Sequence, residues 1–205
     1  VLAVTTTTDN TDSGIVADPA VLLGHIDEPD LPAAERARRE RARESAGGVT
    51  AYATDAAVTV TTFALGGQLF VAGLLSHAAR PLPVDGPVFD PRPDPHARRV
   101  AYVSGRELRV AELDGSARTL VSEPGDPEHV SWGSADFIAA EEMGRQRGYW
   151  WSPDGETIAA CRVDTAPVAI WHISNPADPA APPAAIRYPR AGTANPDVTL
   201  HLCPI

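Results

Sequence analysis

A chain of 205 residues with 27 acidic side chains, 17 arginines and no lysine has a formal charge of −10. That charge excludes a nucleic-acid partner, because phosphate binding needs a basic surface. Hydrophobic residues make up 43% and charged ones 21%, an ordinary soluble globular balance, and no apolar run approaches the ~20 residues that cross a bilayer, so no membrane partner is expected.

In chain order, residues 1–14 are polar and threonine-rich, with turn signals at Asp9-Asn10 and Ser13-Gly14. They are expected to form a loop or poorly ordered lead-in. Ile15 to Leu23 carries an Asp18-Pro19 break and reads as the end of a short strand, and residues 24–32 read as a loop. The composition then changes. The run AAERARRERARESAGG within residues 31–48 predicts a helical arm. Ala, Arg and Glu are strong helix formers, and Pro32 sits near the start, where its missing N–H costs little. Glu35 and Arg39, and Arg36 and Glu40, lie four apart and support the helix as ion pairs, and Gly47-Gly48 ends it. With almost no apolar stripe, the arm reads as a solvated surface element.

From Tyr52 the chain reads as short strands and tight turns. Phe63-Ala64-Leu65, Gly66-Gly67 and Leu69-Phe70-Val71 form one hairpin signal, and Val100 to Val103, Ser104-Gly105 and Leu108 to Leu113 form a second. Phe63 and Tyr102 are 39 residues apart, as are Leu69 and Leu108. A third unit begins at Ser152-Pro153-Asp154-Gly155, delayed by an inserted segment. Hairpins at this period point to β-propeller blades; a β-sandwich with irregular turns is the alternative. The proline-rich stretches 81–95 and 176–183 read as connections between strands.

The inserted segment, Asp136 to Gly155, reads DFIAAEEMGRQRGYWWSPDG. Phe137 to Ala140 is expected to form a short strand. Tyr149-Trp150-Trp151 before a Pro-Asp-Gly turn predicts a well-packed strand entering a reversal. Between them stand Glu141 and Glu142. Adjacent carboxylates repel each other, and a cation such as a primary ammonium relieves the repulsion. The bland reading is a solvated acidic pair on a loop.

Cofactor and metal motifs are missing. Cys161 and Cys203 lack CxxC spacing, and the six histidines form no HExxH. There is no GxGxxG, GxxxxGK[ST] or GxSxG, so neither cofactor nor metal is expected. The first residues lack the basic and apolar regions of a signal peptide and an initiator methionine. The chain is therefore expected to start within a longer protein, and a cytoplasmic location is expected.

The segment from Asp136 to Gly155 resembles the double-glutamate motif of the dipeptidyl peptidase IV family of serine peptidases. Similarity continues through Arg162-Val163-Asp164, Pro167-Val168 and Ile186 to Pro196, IRYPRAGTANP. Arg39 to Tyr52, RERARESAGGVTAY, is similar to a segment in the cytosolic branch of that family. The resemblance implies a mainly β fold: a partial N-terminal propeller of about three to four blades over residues 1–205, with the helical arm at 31–48 and a substrate-anchoring segment at 136–155. It implies that Glu141 and Glu142 hold the free amino terminus of a peptide substrate and that Arg43 contacts a backbone carbonyl of that peptide. The parent would release N-terminal Xaa-Pro or Xaa-Ala dipeptides using a Ser-His-Asp triad on a C-terminal α/β-hydrolase domain absent from this chain. Its expected partners are the peptide, that domain and a second copy in a homodimer. A non-catalytic propeller scaffold and an inactive truncated product are the rival readings.

Overall fold

The computed structural model describes residues 2–6, 11–23, 36, 39, 48–178 and 180–205. Among them the architecture is mainly β. Two four-stranded antiparallel sheets follow each other along the chain, each built by consecutive strands. The first runs β3 (Ala53–Thr54), β4 (Val60–Leu65), β5 (Gln68–Gly73), β6 (Ala78–Leu82). The second runs β7 (Phe89–Pro93), β8 (Arg99–Ser104), β9 (Glu107–Glu112), β10 (Ala117–Val121). In a third sheet, β13 (Thr157–Asp164) has β16 (Asp197–Pro204) on one side and, on the other, both β11 (Val130–Trp132) and β12 (Tyr149–Trp151).

The sheets stack because their middle strands are apolar on both faces. Along β8, Val100 and Tyr102 join one core cluster with Leu69 and Val88, between the first two sheets. Ala101 and Val103 point the other way, into a cluster with Trp132, Tyr149 and Ile158 of the third sheet. Period-two alternation thus feeds two cores from one strand. This is the blade arrangement of a propeller, as the 39-residue register predicts.

The turn from the first to the second strand repeats in all three sheets. Asp55, Asp94 and Ser152 each donate their amide to the carbonyl five residues on (Val60, Arg99, Thr157), at 3.2, 2.9 and 2.8 Å. Each also accepts, on its own carbonyl, the amide three residues on (Val58, Ala97, Gly155), and those third residues all have positive φ, 56°, 55° and 72°. The head side chain finishes the turn: Asp55 accepts from Thr59 and Val60 amides at 2.7 and 2.8 Å, and Ser152 Oγ accepts from the Thr157 amide at 3.0 Å.

Some expectations change. Residues 1–14 are not simply a lead-in: β1 (Leu2–Thr6) pairs with β2 (Thr11–Ile15). Within Ile15 to Leu23 only Ile15 ends a strand, and Pro19–Leu23 form a short helix, α1, whose start Asp18 caps by accepting the Ala20 amide at 2.9 Å. The stretch 81–95 is only partly a connection, since it holds the end of β6 and all of β7. Both are edge strands, where a proline need not donate to a ladder. Of the helical arm, Arg36, Arg39 and Gly48 are described; the two arginines are helical, and Arg39 is buried rather than solvated, with Nη2 3.4 Å from the Gly48 carbonyl.

Candidate functional site

The edge strand of the third sheet is interrupted at the candidate anchor. β11 and β12 pair with successive halves of β13, Trp132 opposite Arg162 and Tyr149 opposite Ala160. Between them the chain leaves the sheet after the Ser134–Arg147 bridge and returns through it. The Gly133 amide donates to the Cys161 carbonyl at 2.9 Å, and the Cys161 amide to the Gly148 carbonyl at 2.8 Å. The two legs close so tightly that a Cβ on Gly148 would stand 2.3 Å from the Ser134 carbonyl carbon, so glycine is required there.

The excursion carries a helix, α2 (Phe137–Glu142). This corrects the expectation of a strand at Phe137–Ala140. β13 is already paired along both edges, and the Ala-Ala-Glu-Glu sequence favours helix. Asp136 caps the start, accepting the Ala139 amide at 3.1 Å. The other end turns at Gly144, φ 62°. There the Arg145 amide returns to the Ala139 carbonyl at 2.9 Å, and the Gln146 side chain donates to the Ala140 carbonyl at 3.3 Å. Arg145 ties the two ends together, its guanidinium 3.4 Å from the Asp136 carboxylate and donating to the Arg147 carbonyl at 2.7 Å.

Ala139 and Ala140 are buried, whereas Glu141 and Glu142 are exposed in the last turn, which holds no basic residue. The C-terminal end of a helix carries partial negative charge and favours cations. Two carboxylates stand at that end of α2.

The aromatic triplet holds the return leg, as expected. Tyr149 is fully buried, with its hydroxyl 2.8 Å from the Ala101 carbonyl, and burial pushes its hydroxyl pKa well up. Trp151 Nε1 donates to the Arg92 carbonyl at 3.2 Å. Trp150 lies under two guanidiniums, Arg145 at 5.8 Å and Arg147 at 5.6 Å. Burial, and next the nearby Arg92 charge, lower the Arg147 pKa, while Arg92 is paired with Asp90 at 2.8 Å.

Arg43 lies outside the described residues. The chain that follows it is placed: Thr50, Ala51 and Tyr52 line a cavity of about 210 Å³ together with Asp90, Arg92 and Gln146. The exit of the arm and the loop after the glutamates therefore share a wall. Sequence reasoning missed Gln146, Arg92 and Arg147. The only signal for the two arginines was their place beside Pro91, in a stretch read as a connection, and beside Gly148, between the glutamates and the aromatic triplet.

Among the described residues no cluster of three or more His, Cys, Asp or Glu side chains is placed to hold a metal ion, Cys161 and Cys203 are free thiols, and no helix is long and apolar enough to cross a membrane.

Comparison with known proteins bears on this arrangement. Human dipeptidyl peptidase 8 is 37% identical over 117 residues, covering 53% of this chain and 11% of that protein. Dipeptidyl peptidase 4 of Arthroderma otae is 34% identical over 116 residues, covering 53% of this chain and 15% of that one. The chain thus spans only a small part of these relatives. Among solved structures, Porphyromonas gingivalis dipeptidyl peptidase 4 superposes with a TM-score of 0.62 at 23% identity, covering 80% of this chain and 25% of that one. That likeness shows the propeller fold. The profile described as "Dipeptidyl peptidase IV (DPP IV) N-terminal region" matches residues 59–205, and the chain belongs to that family.

Proposed function

We propose that this chain is part of the propeller of a longer serine exopeptidase that releases N-terminal Xaa-Pro or Xaa-Ala dipeptides, and that Glu141 and Glu142 hold the substrate's amino terminus. The observation that carries this reading is the pair of exposed carboxylates on the C-terminal turn of α2. An amino terminus with a pKa of about 8 is largely ammonium at neutral pH, and carboxylates accept its protons in charge-assisted hydrogen bonds. Arg43 would hold a substrate carbonyl, a task suited to a planar guanidinium that stays charged. Anchoring at these points measures out two residues and presents the second peptide bond to a Ser-His-Asp triad on a C-terminal α/β-hydrolase domain. The likeness of Arg39–Tyr52 to the cytosolic branch supports a cytoplasmic site of action. Exposed Ile170, Trp171 and Ile173 on the two-stranded ribbon spanning residues 170–187 support a homodimer.

The test uses the full-length enzyme with H-Ala-Pro and N-acetyl-Ala-Pro chromogenic substrates. Glu141→Ala and Glu142→Ala are each expected to lower kcat/KM for the free-amine substrate about ten- to hundredfold, the loss of a hydrogen bond to a charged group, and Arg43→Ala by a similar or smaller factor. The acetylated substrate is expected to be cut poorly by all variants, and the 205-residue chain alone not at all. Equal cleavage of both substrates by wild type, or glutamate variants that match it, would sink the anchor.

A further inference from the structure

Resting on that reading, we propose that Tyr188 is a positioning residue for the amine anchor, acting through Phe137 on the helix face that carries Glu141. Phe137 and Glu141 are four residues apart in α2 and so share one face of the helix. Helical side chains lean toward the N-terminus, which directs the Glu141 stem toward Phe137. Tyr188 meets that face from outside the sheet: its ring stands edge-on to Phe137, centroids 5.3 Å apart at 73°.

Tyr188 is itself fixed. It follows the ribbon formed by β14 (Ile170–Ile173) and β15 (Ala184–Arg187), which among the described strands pair with each other alone. Its amide donates to the Ala169 carbonyl at 3.1 Å. Arg187 before it donates to the Val168 and Ala166 carbonyls at 2.8 and 3.2 Å. Its ring packs edge-on against Trp171 at 6.4 Å, and the Arg190 guanidinium covers Trp171 at 5.4 Å.

α2 has little grip of its own. A helix of six residues does not persist in isolation, and its buried side chains are two methyl groups, Ala139 and Ala140. Its polar ties through Asp136, Arg145 and Gln146 hold the two ends. Tyr188 instead braces the flank on which Glu141 stands. Without the ring, Phe137 loses its edge-on partner and the helix face it shares with Glu141 loses that packing, so binding of the ammonium weakens while kcat is little changed.

The experiment measures KM and kcat of the full-length enzyme on H-Ala-Pro-p-nitroanilide for Tyr188→Ala, Tyr188→Leu, Tyr188→Phe, Glu141→Gln and Tyr188→Ala with Glu141→Gln. Tyr188→Ala is expected to raise KM about three- to tenfold, the size of an edge-on aromatic pair, with kcat little changed. Tyr188→Leu should fall between, and Tyr188→Phe should restore wild-type KM because the ring remains. In the Glu141→Gln background, Tyr188→Ala should add nothing, since the group it positions is gone. A silent Tyr188→Ala beside an impaired Glu141→Gln overturns the brace and leaves the anchor standing. So does an equal Tyr188→Ala effect in both backgrounds, or failure of phenylalanine to rescue. A silent Glu141→Gln overturns the anchor itself. If Tyr188→Ala does not fold, Tyr188→Leu carries the same comparison.

Discussion

At the scale of single residues, the third sheet is tied to what precedes it by a carboxylate. Glu123, between β10 and β11, takes two hydrogen bonds from Arg162 of β13, at 2.7 and 2.8 Å, and one from Trp132 Nε1 at 3.2 Å. The Arg162 guanidinium is the main cause holding its pKa below the ordinary glutamate value. A carboxyl depressed in the folded state stabilises the fold above its unfolded pKa of about 4.3, and that contribution disappears as pH falls through the folded value. Glu123→Gln is therefore expected to melt below wild type at neutral pH, with the gap closing as both are acidified below the usual carboxylate range. A gap that persists unchanged at acid pH would mean that Glu123 acts through packing alone. The glutamates of the proposed anchor make a contrast at the same scale. Their identity was legible in the sequence as an acidic doublet, but not their setting, because Asp136 as a cap and Gly148 as a closure are read only once β11 and β12 are known to share β13.

At the scale of elements, the repeated first turn shows what the sequence displayed and what it concealed. The hairpins at Gly66-Gly67 and Ser104-Gly105 were legible because glycine stands where φ is positive. The turns headed by Asp55, Asp94 and Ser152 share their hydrogen bonds, yet only the third has glycine at its left-handed position. Val58 and Ala97 stand there in the others, so the chemistry that signals a turn is missing. A β-branched residue pays most for that conformation. Val58 is exposed, and Val58→Gly is expected to stabilise the chain by about 0.5–1 kcal/mol after the glycine entropy cost. Gly155→Val should do the reverse, since a β-branched residue is strained at φ 72° and its Cβ would stand 2.6 Å from Arg98 Nη2, displacing it from the Asp154 carbonyl. Urea midpoints of the two variants check both signs. Strands β6 and β7 were hidden for a different reason: Pro81, Pro91 and Pro93 suggest a connection, and only their edge positions make them compatible with a sheet. The Phe137–Tyr188 contact joins residues far apart in sequence and leaves no local pattern.

At the scale of the whole molecule, the stacked sheets present an open side. β16 pairs with β13 alone among the described strands and exposes Val198, Leu200 and Leu202. A long edge with unpaired amides and apolar side chains is a template for another strand. The 205-residue chain is expected to self-associate as its concentration rises, read as a shift to earlier elution in size-exclusion chromatography. A concentration-independent monomer with a sharp cooperative melt would contradict this. The closure at Ser134 and Arg147 has the opposite character. Whatever lies between those two residues begins and ends at one point of the blade, and a doubling of a loop's length adds only about 0.6 kcal/mol to its closure. The helix proposed to bind the amine is thus a cassette: a dozen residues, 135–146, that selection or an engineer can rewrite to admit a different substrate end group while the sheet that carries it keeps its hydrogen bonds.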